Sequence, residues 1–231
     1  MKPYVITKVI RETPDVVTLH FLDKEGKRPN FIAGQYVTVL FPDLNVPEGK
    51  AYSLSSAPSD PYLAITVKKL KPGNYSSRLH TLKVGDELLV SEPYGFLNPQ
   101  FDAPLIMIAG GVGIAPLMSI MRDTLANDPS SEIELWYSNQ TIDQIVFKKQ
   151  LDDMTKDHKQ FHVKHFITQQ TNLPDSYEKG RIDIAKILNR QKPEPEKFYF
   201  ICGRQNFVGD IWHALVVAGV AENKIATETF Y

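Results

Sequence analysis

The stretch "MIAGGVGIAP", Met107 to Pro116, decides how the chain is read. An apolar run enters three glycines and leaves at a proline. Glycine lets a backbone bend sharply and lets a ligand approach it closely. Proline suits the first turn of a helix, where its missing N–H costs no bond. The stretch therefore reads as strand, loop and helix, and the N–H groups at such a helix start can hold an anion. A tight turn holding nothing would be spelled the same way. The spacing is neither G-x-G-x-x-G nor G-x-x-x-x-G-K-[ST].

Working outward, apolar runs alternate with helix-length amphipathic segments after this point. "APLIMIA" precedes "APLMSIMRDTLA", "EIELWYS" precedes "QIVFKKQLDDM", "FHVKHFI" precedes "DIAKILNRQ", and "KFYFICG" precedes "FVGDIWHALVVAG". Such alternation predicts a doubly wound α/β domain with a parallel sheet. The part before it has another rhythm. "YVITKVI", "VVTLHFL", "QYVTVLF", "AYSLSS", "LAITVKKL" and "DELLVSE" are short, β-branched and separated by Gly, Pro or Asp, with one helical turn at "SSRLHTL". They predict an antiparallel β-barrel or sandwich, of which the barrel is taken as the fold. The change falls at Asn98-Pro99, so the expected domains are 1–99 and 100–231. A barrel followed by a nucleotide-type domain suggests one ligand in each and a reaction at the seam. "RQKPEPEK" reads as a solvated loop.

The chain has 231 residues, a formal net charge of -1 and 42% hydrophobic residues. The near-neutral balance gives no electrostatic case for nucleic acid or an acidic membrane surface. No secretory leader and no membrane-spanning run are visible. One cysteine, Cys202, excludes an intramolecular disulfide and a four-cysteine metal site within the chain. The expectation is a soluble, reduced, cytoplasmic protein.

Four further stretches carry chemistry. In "KAYSLSSAP", Lys50 and Tyr52 share a strand face while Ser53 points the other way. A cation suits a phosphate, and a phenol ring suits stacking on a flat heterocycle; an ordinary edge strand is the alternative. In "KPGNYSSRL", Gly73 and the amides of Asn74, Tyr75 and Ser76 start a short helix where an anion could sit, unless Ser or Asn is only a cap. "FICGRQNF" places Cys202 and Gly203 at the carboxyl end of a strand, on the ligand edge of an α/β sheet. A buried hydrophobe is the alternative there. "TETFY" closes the chain with Glu228, Phe230 and Tyr231. His158, His162 and His165 cross from loop to strand, so they read as solvent-facing rather than as a metal site. Asp152 and Asp153, adjacent on a helix, do not converge.

Taken in order, "KAYS", "GNYSSRL", "GGVGIAP", "CG" and "ETF" resemble the motif series of the ferredoxin–NADP(+) reductase superfamily, over essentially the whole chain. The resemblance implies an NAD(P)H-dependent flavoprotein oxidoreductase without a fused iron–sulfur or globin domain. It implies FAD rather than FMN, held by Lys50, Ala51, Tyr52, Ser53, Val67, Gly73, Asn74, Tyr75 and Ser76, with Phe230 or Tyr231 against the flavin face. Tyr52 would stack on the isoalloxazine and Ser53 would hydrogen-bond near its N5. Gly110, Gly111, Val112, Gly113, Pro116, Cys202, Gly203 and Arg204 would take the nicotinamide dinucleotide, with Ser53, Cys202 and Glu228 at the reacting centre. The family usually has Arg where this chain has Lys50, which removes a bidentate grip on phosphate.

NADH or NADPH would be the donor. The strand-end loops Ser138-Asn139-Gln140 and Thr168-Gln169-Gln170 are neutral and favour NADH, although Arg181 and Arg204 could reach in. The resemblance points to a separate acceptor: a ferredoxin, a flavodoxin or an oxygenase component. A free-flavin reductase of the same fold and a non-enzymatic electron-transfer subunit are the rival readings.

Overall fold

The structure is a computed structural model that describes residues 1–95, 104–190 and 197–230. It divides into two compact units. The first holds residues 1–98 together with Met118–Asp123, and the second holds Pro99–Leu117 and Thr124–Tyr231. The domain boundary expected from the sequence falls among residues 96–103, outside the described residues.

The first unit is an antiparallel sheet of β1 (Lys2–Thr13), β2 (Val16–Asp23), β3 (Tyr36–Leu40), β4 (Lys50–Ser53), β5 (Leu63–Lys68) and β6 (Glu87–Val90), with one short helix, α1 (Asn74–Leu79). The order is β4-β3-β6-β1-β2-β5. A bridge between Leu54, just beyond β4, and Ile65 of β5 brings the two edges together and closes the sheet into a barrel. Inward positions alternate with outward ones, as the pleat requires. Tyr4, Ile6, Val17, Leu19, Phe21, Val37, Val39, Leu63, Ile65, Leu88 and Val90 fill the interior. Each such side chain stabilises the fold by roughly 1.5–3 kcal/mol relative to exposure.

A polar knot fixes the turn after β4. Asp60 accepts two hydrogen bonds from the Arg122 guanidinium, at 2.6 and 2.7 Å, and a third from the Ala57 amide at 2.8 Å. Ser119 donates to the Ser56 carbonyl at 2.6 Å.

The second unit is a wholly parallel sheet. Its strands are β7 (Leu105–Gly110), β8 (Ile133–Asn139), β9 (Phe161–Ile167), β10 (Tyr177–Lys179), β11 (Phe198–Arg204) and β12 (Ile225–Phe230). Its helices are α2 (Ile114–Asn127), α3 (Lys148–Asp157), α4 (Ile184–Arg190) and α5 (Gln205–Val217). The order β10-β9-β8-β7-β11-β12 means that the chain first winds away from β7 on one side and then returns to its other side. That reversal between β7 and β11 is a topological switch point, the place in an open α/β sheet where a crevice opens at the carboxyl ends of the strands.

Two expectations needed correction. The helix expected over "QIVFKKQLDDM" starts only at Lys148, because Ile145, Val146 and Phe147 leave the helical path to bury themselves, and Phe147 takes φ 60°. His165 is not solvent-facing: it is buried on β9, its ring 6.0 Å from that of Tyr137 and 5.5 Å from that of Tyr177. Burial drops its pKa to about 4. Asp152 and Asp153 diverge as expected, each pairing with a lysine one turn earlier on α3, Lys148 and Lys149. Among the described residues no group of three metal-ligating side chains converges, and no helix is long and apolar enough to cross a membrane.

Candidate functional site

In the second unit, β7 ends in the glycines of the opening stretch. Gly111–Gly113 form a single 3₁₀ turn that passes into α2, with Pro116 in the first turn of that helix. Gly111 sits at φ +55°, an angle that L side chains rarely adopt. Gly113 is required for a different reason. A Cβ there would lie 2.3 Å from the Cys202 carbonyl oxygen, so the loop presses directly on the end of β11. The ring of Phe207, from the first turn of α5, packs against both Gly110 and Gly203. The glycine loop, Cys202-Gly203 and the start of α5 thus meet at the switch point.

Parallel register sets a row of side chains across the sheet on one face. Tyr177 is level with His165, His165 with Tyr137, Tyr137 with Ala109, Ala109 with Cys202, and Cys202 with Glu228. Cys202 and Glu228, twenty-six positions apart in the chain, are therefore neighbours at the carboxyl end of the sheet. Cys202 is fully buried. Burial, and then the Glu228 carboxylate, push its thiol pKa well above the ordinary range. A thiol so held is a neutral packing and positioning group, since the reactive form of cysteine is the thiolate.

At the carboxyl end of the sheet opens a cavity of about 770 Å³, lined by Ser138, Gln140, Thr168, Gln169, Arg181, Arg204 and Phe207 among others. That volume is in the range of a small-molecule site. The polar side chains come from the carboxyl ends of β8, β9, β10 and β11. Phe230, the last residue of β12, stands opposite Arg204 and lines the same cavity. The two arginines of this lining suit a nucleotide with phosphates. Tyr231 lies outside the described residues.

In the first unit, β4 carries Lys50, Ala51, Tyr52 and Ser53. Lys50 and Ala51 are exposed, Tyr52 is half-buried against the barrel core, and Ser53 is 6% exposed. Burial, then Tyr75, raise the Tyr52 pKa far above its usual value, so its hydroxyl stays protonated. A half-buried phenol ring beside an exposed ammonium on one strand fits a flat heterocycle bearing phosphate.

The second stretch of that unit behaves differently from its motif. Ser76 is buried, its hydroxyl accepting from the Leu70 amide at 3.0 Å and donating to the Gly73 carbonyl at 3.4 Å. Tyr75 turns its ring into the core against Phe41, and its hydroxyl donates to the Val46 carbonyl at 3.3 Å. Asn74 remains exposed. What this segment offers a ligand is therefore backbone and Asn74, with the hydroxyls already engaged. Val67 is buried in the core, and its carbonyl meets His80 Nε2 at 2.9 Å.

Two contributors carry no signal in the sequence. Phe207 and Tyr137 act through strand register and helix placement, which no local motif encodes.

Residues 3–98 match the oxidoreductase FAD-binding domain family, and residues 107–212 match the oxidoreductase NAD-binding domain family. Flavohemoprotein A of Dictyostelium discoideum is 30% identical over 246 residues, an alignment that takes in 99% of this chain and 60% of that protein. The chain thus spans about 60% of the length of such relatives. A ferredoxin NADP+ reductase from Neisseria gonorrhoeae with bound FAD and NADP superposes with a TM-score of 0.84 at 24% identity, covering 100% of this chain and 98% of that one. An Amycolatopsis cytochrome P450 reductase superposes with a TM-score of 0.85 at 22% identity, covering 98% and 68%. The chain thus consists of an oxidoreductase FAD-binding domain followed by an oxidoreductase NAD-binding domain, and its fold is that of the ferredoxin NADP+ reductase and cytochrome P450 reductase structures.

Proposed function

We propose that this oxidoreductase takes electrons from NADH, holds them on bound FAD and delivers them to a separate acceptor, a small electron-carrier protein or an oxygenase component. The observation that carries the reading is the meeting of Gly110–Gly113, Cys202-Gly203 and the Cys202–Glu228 pair at the β7–β11 switch point. FAD, when bound, supplies the atom that receives hydride and can release the two electrons singly or together.

The chain's own share is alignment. The glycine loop and the first turn of α5 grip the dinucleotide phosphates. Cys202, neutral and buried, would back the wall against which the nicotinamide ring lies and so limit its tilt. Glu228, level with Cys202, accepts a hydrogen bond from the carboxamide side of the ring. In the first unit, Tyr52 would stack on the flavin ring, Ser53 would donate to it, Lys50 would neutralise a phosphate, and the Gly73–Ser76 backbone and Asn74 would complete the diphosphate site. NADH is the preferred donor because Ser138, Gln140, Thr168 and Gln169 present neutral groups to ribose hydroxyls. Arg181 and Arg204 in the same lining leave NADPH as a slower alternative.

The likeness to a ferredoxin reductase and a P450 reductase supports a protein acceptor, and the flavohemoprotein relatives add haem as an acceptor chemistry. A second reading, reduction of free flavin, draws on the engaged Ser76 hydroxyl and on Lys50, which lacks the bidentate fork of arginine. The test is anaerobic reduction by NADH of a [2Fe–2S] ferredoxin, a flavodoxin and free FMN, each in turn, by the FAD-loaded chain. Fast reduction of a protein carrier is expected, with NADH favoured over NADPH in kcat/KM. Turnover with free FMN alone would transfer the function to the second reading.

A further inference from the structure

Tyr137 of β8 is fully buried. Its hydroxyl lies 2.8 Å from the Gly111 carbonyl oxygen and 3.3 Å from the Val146 amide nitrogen. A carbonyl only accepts and an amide N–H only donates. The phenol therefore accepts from Val146 and donates to Gly111. The Gly111 carbonyl also accepts from the Ile114 N–H as the 3₁₀ turn closes. Its orientation is thus held from two sides.

That orientation matters for what the loop can bind. In a trans peptide the carbonyl and the following N–H point in opposite directions. Drawing the Gly111 carbonyl toward the buried phenol turns the Val112 N–H away from it. Gly111 itself does not enforce this. It sits at φ +55°, and a Cβ there would meet nothing within 4 Å. The restraint comes from Tyr137 together with the Ile114 N–H. The tyrosine is held in turn by the Val146 amide, from the buried segment Ile145–Phe147 that interrupts the expected helix.

We propose that Tyr137 is a positioning residue for the dinucleotide: its hydroxyl sets the Gly111–Val112 peptide in the orientation that receives NAD(H), so that the loop is pre-arranged rather than ordered on binding. This rests on the reading that the Gly110–Pro116 loop takes the nicotinamide dinucleotide. Pre-arrangement of a binding loop shows up as affinity. Tyr137→Phe keeps the ring and removes the restraint on Gly111 along with the bond from the Val146 amide. The loss of one buried hydrogen bond corresponds to a change of about 5- to 10-fold.

The experiment uses the full FAD-loaded chain, with Tyr137→Phe, Gly111→Ala and the double variant. The readouts are NAD(+) affinity by calorimetry, KM and kcat with NADH, and melting temperature. Expected for Tyr137→Phe is a rise of about 5- to 10-fold in both KM and the NAD(+) dissociation constant, with kcat within about twofold and flavin retained. Because both variants act on one peptide, the double variant should fall well short of the product of the single effects. Independent, multiplying effects would overturn the proposal. So would a lowered melting temperature with unchanged affinity, or a loss of flavin and kcat together, each of which marks a merely structural tyrosine. Gly111→Ala weakening NAD(+) while Tyr137→Phe leaves it unchanged would overturn the role of Tyr137 and keep the loop as the site. Neither variant affecting NAD(+) would remove the loop itself from the binding site.

Discussion

Burial decides the chemistry of single residues in this chain. Cys202 stays a thiol across the working pH range because its surroundings disfavour charge, and the neighbouring Glu228 carboxylate adds to that. On the proposed function, its part in hydride transfer is then steric. Cys202→Ala should retain flavin and slow single-turnover flavin reduction by NADH on the order of 100-fold, the usual consequence of losing one orienting contact. An unchanged stopped-flow rate would reduce Cys202 to core packing. Two histidines show the same physics in stability. His20, stacked on Tyr62, and His165 both have pKa values brought down to about 4 from 6.5 by burial. Between those values the unfolded chain binds more protons than the folded one, so acid favours unfolding. The contribution of the two neutral imidazoles is intact above about pH 6.5 and is lost as pH falls toward 4, at up to about 1.4 kcal/mol per pH unit for each. Urea midpoints at pH 7.0 and 5.0 should show the loss, and it should shrink in a His20→Phe, His165→Phe double variant. A slope indifferent to that variant would place the acid sensitivity elsewhere.

At the scale of elements, what depends on local pattern was legible and what depends on pairing was not. The run Phe161–Ile167 is β9 residue for residue, and "APLMSIMRDTLA" lies wholly within α2, because alternation and helical periodicity are local properties. The start of α3 was not legible, since Ile145–Phe147 reads as helical until the burial available to it is known. β10 and β12 were missed as strands for a similar reason. Three residues at Tyr177–Lys179 and a polar run at Ile225–Phe230 owe their extension to the neighbours β9 and β11. The same limit applies to the site. The motifs pointed to Cys202 and Glu228 separately, but only register made them neighbours, and it also brought Tyr137 under the glycine loop. β12 also carries a prediction. Phe230 ends the ladder opposite Arg204 and lines the cavity, where it competes with an incoming ring for space. Phe230→Ala should tighten NAD(+) severalfold and leave the melting temperature nearly unchanged. Weaker NAD(+) binding with a lowered melting temperature would show that Phe230 is a plug holding the strand end in place.

For the molecule as a whole, the two units divide the work. The barrel has a closed apolar interior of its own and presents Tyr52, Ser53 and Lys50 on one strand. The parallel sheet has a separate core around Ile108, Trp136, Ile201 and Leu215 and presents its glycine loop at the switch point. Each core stands under one candidate ligand site, and the proposed reaction requires both ligands. The central claim, that a held FAD takes electrons from NADH, is tested most directly by anaerobic titration of the purified, desalted chain with NADH while the flavin absorbance is followed. The expected result is a yellow protein carrying one FAD per chain, bleached by about one equivalent of NADH, with no flavin passing an ultrafiltration membrane before or after. A colourless protein, or one whose bleached flavin all passes the membrane, would contradict it.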